Sequence, residues 1–253
     1  LVEYVEYIFI GIALGLSLGL FGGGGGILAI PLLVAAGVPT DEAGTTSLVV
    51  VGIGAIGGLI PHARAGRVDW KQGFIFSALG IVGALAGSRL ALVTEDRIQL
   101  WGFAVVLVIA GTLMLRKALR SSPGGGERVE RSRRSWWLVV PTAATVGLFT
   151  GFFGVGGGFL VVPALALVMG MSMYRATATA LLVITLNSAV ALVPRAGEAL
   201  DLTATVVVAA FVLISSAVAA RWSNRWSERN LGIGFAGLVL AMSVLTVVQA
   251  SGA

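Results

Sequence analysis

Gly19-Leu-Phe-Gly-Gly-Gly-Gly-Gly-Ile-Leu-Ala-Ile-Pro31 and Gly151-Phe-Phe-Gly-Val-Gly-Gly-Gly-Phe-Leu-Val-Val-Pro163 are two versions of one segment, 132 positions apart in a chain of 253 residues. Each interrupts apolar sequence with a glycine run and resumes in a short apolar segment holding one proline. A repeat at about half the chain length predicts two related halves. In a membrane protein, such a break at corresponding places in both halves points to a transport site.

Composition sets the solvent. The chain is 57% hydrophobic and 11% charged, with a mean hydropathy of +0.97, whereas soluble domains carry about 25% charged residues. So little charge cannot cover a surface in water, and the lipid bilayer becomes the expected partner. No cysteine is present and His62 is the single histidine, which excludes thiolate chemistry and a multi-histidine metal site. No cofactor is expected. The net charge of +5 lies between apolar segments, which reads as membrane topology and not as a nucleic-acid surface. Without an initiator Met or a basic leading region, no complete signal peptide is expected.

Apolar segments fall at 4–20, 27–36, 43–60, 72–92 and 98–115, then again at 136–152, 159–169, 176–193, 203–220 and 231–249. Eight of them approach the ~20 residues that cross a bilayer. The two that follow the glycine runs are too short and read as half-helices. Their glycine runs then supply recessed, non-helical backbone, which is tolerated at depth only where protein buries it or water lines it. The expected fold is an all-α membrane bundle of two inverted halves, each with four long helices and one half-helix. The first repeat spans 1–116, a basic linker 117–135 and the second repeat 136–253.

The polar stretch Arg116–Ser135 contains seven Lys/Arg, which places it in the cytoplasm by the positive-inside rule. Counting each half-helix as a crossing gives five per half. Fourteen basic residues then lie inside and two, Arg97 and Arg195, lie in outer loops. Treating each break as a mere kink pushes Arg221, Arg225 and Arg229 outside. An odd count per half makes the repeats inverted, related by an axis in the membrane plane.

Half-helices beginning at Gly26 and Gly158 would expose uncapped N–H groups and a positive dipole end, a ready anion site. Gly24, Gly25, Gly26, Gly156, Gly157 and Gly158 are the candidate backbone donors. The same glycines would also serve close helix packing. Thr45, Thr46 and Ser47 in the first half, and Thr177, Thr179, Thr185, Asn187 and Ser188 in the second, could complete an anion's shell, or bond helix to helix. Asn187 stands out, because an amide in mid-span is costly unless satisfied. Arg89 reads as snorkelling to the interface, Arg175 as a topology anchor, His62 as a solvated loop residue. The six tryptophans lie near span ends, as an interfacial belt does.

The doubled pattern Gly24-Gly-Gly-Ile-Leu-Ala-Ile-Pro31 and Gly156-Gly-Gly-Phe-Leu-Val-Val-Pro163 resembles the TauE/SafE family of sulfite and organosulfur-anion exporters. The likeness extends to Ala43-Gly-Thr-Thr-Ser47, to Ala176-Thr-Ala-Thr179 and to the two-half layout. The resemblance implies a bacterial inner-membrane permease, usually described with about eight spans, moving sulfite, sulfoacetate, thiosulfate or a related small anion. The expected mechanism is alternating access around a midplane site. An anion channel and a scaffold without transport remain the alternatives. An intramembrane hydrolase does not fit, because no carboxylate pair is embedded. Which anion moves, in which direction and with what coupling ion is not legible, and a homo-oligomer is left open.

The charge count makes one direct prediction. A phosphatase reporter active only outside the cytoplasm should be silent when fused within 121–135 and active when fused after Thr94. The reverse pattern would invert the topology.

Overall fold

The structure, a computed structural model, describes residues 2–120, 136–153, 158–195, 197 and 199–252. Among these residues it contains ten helices and no strand. They are α1 (Val2–Phe21), α2 (Gly24–Ala35), α3 (Thr40–Arg64), α4 (Trp70–Ala91), α5 (Asp96–Arg120), α6 (Trp136–Phe153), α7 (Gly158–Pro163, continued as a π-helical turn Ala164–Val168), α8 (Met173–Leu192), α9 (Leu202–Trp222) and α10 (Glu228–Gly252). Every apolar segment read from the sequence is a helix, and the order repeats after α5. Polar side chains mark three of the starts. Asp69, Ser172 and Asp201 accept hydrogen bonds from the N–H groups of Gln72, Arg175 and Ala204, each three residues on, satisfying first-turn donors that lipid would leave bare.

Among the described residues seven helices are long and apolar enough to cross a membrane, and α6 adds an apolar stretch, Leu138–Phe153, within its 18 residues. Helix α5 continues to Arg120, past the linker start at 117 read from the sequence. There the Lys117 ammonium donates to the carbonyl oxygens of Ala166 and Met171, placing a cation at the C-terminal end of α7, where the helix dipole favours it. The rest of the linker, 121–135, lies outside the described residues.

Glycine contacts fix the relative helix directions. Gly11, Gly15 and Gly19 of α1 meet Val208, Val212 and Ser216 of α9 in turn, so these two helices run parallel. Gly83 and Gly87 of α4 meet Ala144 and Leu148 of α6, again in parallel. Gly54 and Gly57 of α3 meet Val212 and Leu213 of α9 in parallel, while Gly52 and Gly58 meet Ser188 and Leu181 of α8 in antiparallel order. Gly73 and Gly80 of α4 lie near Leu182 and Asn187 of α8 in parallel. Gly111 and Ala118 of α5 meet Leu240 and Gly232 of α10 in antiparallel order. Combining these, α6, α8, α9 and α10 each run opposite to their counterparts α1, α3, α4 and α5.

Small residues make these contacts possible, because between helices in lipid the attraction comes from close packing and not from hydrophobic exclusion. A Cβ added to Gly147 would lie 2.1 Å from the Gly80 carbonyl oxygen. The outside of the bundle is apolar: Phe9 is 69% exposed, Val82 67% and Val206 64%. Trp70, Trp101, Trp222 and Trp226 are exposed near helix ends, where amphipathic rings suit the lipid–water boundary. Arg89 is exposed in the last turn of α4.

Gly147→Leu should separate α6 from α4 and cost about 1–3 kcal/mol by overpacking. Gly237→Ala, where nothing lies within 4 Å, should be neutral or stabilising. Denaturation of the purified protein in detergent compares them, and equal stability of both variants would contradict the packing described.

Candidate functional site

The first glycine run is a turn followed by a helix start. Gly22 adopts φ +74°, a torsion that costs glycine little, and its N–H closes α1 on the Leu18 carbonyl at 2.7 Å. Helix α2 begins at Gly24, two residues before the Gly26 expected, and no side chain caps it at Gly23. Gly23 lies against the start of α7: a Cβ there would sit 2.3 Å from the Gly158 carbonyl oxygen. The two half-helices therefore meet backbone to backbone at their N-terminal ends. From that junction α2 leads to the start of α3 and α7 to the start of α8, and α3 and α8 are antiparallel, so the half-helices diverge.

Beside the junction is a cavity of about 370 Å³. Its wall is mostly hydrocarbon, from Ile30, Leu48, Val51, Ile81, Leu85 and Ile184, with polar groups from Ser47, Ser88, Thr150, Asn187, Ser188 and Arg195. Gly26 in the first turn of α2 forms part of it. A mostly apolar hollow with a few convergent polar groups is the usual form of a small-molecule site. All the lining residues from α3, α4, α6 and α8 belong to one end of the bundle. At the other end Thr177, Thr179 and His62 are buried.

Asn187 is held in place. The Ser77 hydroxyl donates to its Oδ1 at 2.6 Å, which occupies the amide oxygen and leaves the amide N–H groups as donors toward the cavity. Gly80 leaves room for them, since a Cβ there would come only within 3.9 Å of Nδ2. Arg195 follows α8 and reaches across to α3, where its Nη1 donates to Thr45 Oγ1 at 3.3 Å. Gly44 permits that approach: a Cβ there would lie 3.1 Å from Nη1. The guanidinium thus lies at the open end of the cavity, between helices of different halves.

The expected site residues separate into three groups. Gly26 and Asn187 line the cavity, and Thr45 adjoins it through Arg195. Gly24 and Gly25 pack against Ser17 and Leu18 of α1, Gly158 packs against Ile184 and Gly23, and none of the three lines the cavity. Thr46 and Thr179 do helix-to-helix work instead: Thr46 Oγ1 lies 3.5 Å from the Thr205 hydroxyl, and Thr179 Oγ1 accepts from the Asp69 N–H at 3.1 Å. Gly156 and Gly157 lie outside the described residues. His62 is not a loop residue: α3 runs through Pro61 to Arg64, and His62 is 1% exposed. Arg195, counted in the sequence only as an outer-loop charge, is a cavity residue that reading missed, as are Ser88 and Thr150. The partner of Arg195, Thr45, is 150 residues away, a distance no local pattern spans.

Contacts around the α3–α4 loop tie the two halves together at the far end of the bundle. Asp69 pairs with Arg175 at 3.1 Å, so Arg175 links two halves rather than only marking topology. The Arg67 guanidinium carbon lies 4.7 Å from the Tyr174 ring centroid, and the Tyr174 hydroxyl donates to the Trp226 carbonyl oxygen.

Comparison with known proteins shows the family. The model of the family described as sulfite exporter TauE/SafE matches residues 7–246. A probable membrane transporter protein of Xylella fastidiosa is 37% identical over 172 residues, 67% of this chain and 65% of that protein. YunE of Bacillus subtilis, also described as a probable membrane transporter protein, is 26% identical over 208 residues, 74% of this chain and 76% of that one. YfcA of Escherichia coli, described in the same words, is 30% identical over 161 residues, 62% of this chain and 57% of that one. The match thus spans 65% of the length of the Xylella relative. No solved structure matches.

The Ser77–Asn187 bond is testable by a double-mutant cycle. Ser77→Ala should cost about 1 kcal/mol, and its cost should shrink when Asn187→Leu is already present. Strict additivity in a denaturation measurement would mean the two side chains are not coupled.

Proposed function

The chain belongs to the sulfite exporter TauE/SafE family, and on that premise we propose that it is a secondary transporter for a small sulfur-containing anion such as sulfite, sulfoacetate or thiosulfate. The observation that carries the reading is the cavity beside the junction of the two half-helix starts, with Gly26 of α2 in its wall. Its polar wall holds the Asn187 amide, the Arg195 guanidinium and the first turn of α2 at Gly26 as donors, while the Ser47 and Ser88 hydroxyls donate to the Gly44 and Leu85 carbonyl oxygens of their own helices. An anion finds hydrogen-bond donors and a positive dipole end there, and a cation finds no carboxylate among the described lining residues. The hydrocarbon wall suits an anion that carries an organic part.

Alternating access is supported by the unequal ends of the bundle. One end holds the cavity and the other is tied together by Asp69–Arg175 and Arg67–Tyr174. By the positive-inside rule the tied end, with Arg64, Arg67 and Lys71, faces the cytoplasm, as does the linker. The conformation described is then outward-open in a bacterial inner membrane. The two inverted halves would rock about the midplane site to expose it inward. The backbone of Gly24, Gly25, Gly156, Gly157 and Gly158 would shape the half-helix starts, and Thr45 would place Arg195.

Purified protein in proteoliposomes should move labelled sulfite with saturation and with acceleration by sulfite on the opposite side. Asn187→Leu should lower apparent affinity about tenfold, and Gly25→Leu should abolish flux while the protein still inserts. Conductance without saturation would make the protein a channel. Absence of any anion binding would leave a scaffold. Asp69→Asn keeps the α4 cap but removes the charge pair. Exposed pairs contribute about 0–1 kcal/mol, so this variant should shift the balance of the two ends up to about fivefold, and the shift should vanish in high salt.

A further inference from the structure

The loop that carries Arg195 has a second copy. Leu192-Val-Pro-Arg-Ala196 corresponds to Leu59-Ile-Pro-His-Ala63, 133 positions earlier, the same spacing that separates the starts of α3 and α8. His62 therefore stands where Arg195 stands in the other half. Their neighbours correspond as well. Arg195 and Gly151 both line the cavity, and the counterpart of Gly151 is Gly19, whose carbonyl oxygen accepts from His62 Nε2 at 3.4 Å.

The two copies have different conformations. Helix α8 stops at Leu192, so Pro194 and Arg195 lie in the turn beyond it, at the open end. Helix α3 continues through Pro61 and His62 to Arg64, at the tied end. His62 is 1% exposed, and its Nδ1 is buried with no hydrogen-bond partner in the protein. Buried polar atoms are nearly always partnered, and an exception asks for a role. The bond to Gly19 uses one ring nitrogen and leaves the other without a partner.

We propose that His62 is the inner counterpart of Arg195, an anion-engaging side chain that is covered while the outer end is open and lines the exit when the inner end opens. The inference rests on the transport reading above. If the halves exchange conformations, the end of α3 unwinds as the end of α8 now does, and the ring N–H passes from the Gly19 carbonyl to the passing anion. Arg195 would then be withdrawn into a lengthened α8. The pair assigns a donor to each end of one path, on matching positions of the two halves.

The absence of cysteine gives a clean test. Single variants His62→Cys and Arg195→Cys, reconstituted in vesicles, are treated with a membrane-impermeant maleimide on each side. Arg195→Cys should react from the outer side, and His62→Cys at least tenfold more slowly from either. Adding Asp69→Asn should raise the His62→Cys rate from the inner side about twofold to fivefold and slow Arg195→Cys. In sulfite counterflow, His62→Leu should lose at least tenfold in flux, whereas His62→Arg, which copies the other half, should keep saturable flux well above it. His62→Gln, which retains a donor for Gly19, controls for loss of folding and should elute in detergent as the wild-type protein does. Sulfite flux of His62→Leu equal to wild type, or a His62→Cys rate indifferent to Asp69→Asn, overturns the proposal. Failure of the wild-type protein to move sulfite overturns the transport reading instead, and the labelling rates still decide the accessibility of His62.

Discussion

A peptide group without a hydrogen-bond partner cannot remain in hydrocarbon, and the architecture follows from that constraint. A helix satisfies it along its length and violates it at each end. This chain ends helices in places where protein backbone, not lipid, is the neighbour. The start of α2 is set against the start of α7 through Gly23 and Gly158; α2 is flanked by α1 and α3, and α7 by α6 and α8. Two broken helices thus shield each other's exposed ends, and the polarity left over is turned toward a cavity. The cavity lies beside these breaks, with Gly26 of α2 and the Ile184 that packs on Gly158 in its wall.

Much of this was legible in the residues. Apolar runs broken by Gly and Pro gave ten segments, and each is a helix, because in lipid length and hydrophobicity decide nearly everything. The shortness of the segments after the glycine runs identified α2 and α7. The site was read less well. Gly24 and Gly25 carry the right chemistry, but one turn of helix rotates them onto α1 and only Gly26 toward the cavity. Thr46 and Thr179 have the right type and depth, yet a hydroxyl inside a bundle bonds whatever donor or acceptor the next helix offers, here Thr205 and the Asp69 amide.

The two arginine and histidine misreadings share a cause. Sequence topology treats a basic residue as a marker of which side a loop lies on, and that use hides any contact it makes. Arg195 was a marker until Gly44 and Thr45 came into reach across the bundle. His62 was assigned to a loop because Pro61 reads as a helix stop. In a membrane helix the missing proline N–H is tolerated when neighbours satisfy the freed carbonyl, and α3 passes through it to Arg64.

The parallel seams of α1 with α9 and of α4 with α6 have a consequence for assembly. Each ties a helix of one half to a helix of the other, with glycine backbones too close to slide past bulky side chains. The pieces that can shift as solid blocks are therefore stitched from both ends of the polypeptide and do not coincide with its two sequence halves. During synthesis α1 must wait in the bilayer until α9 emerges, so neither half can reach its final packing alone. Gene splitting at the linker would yield fragments that depend on each other to fold.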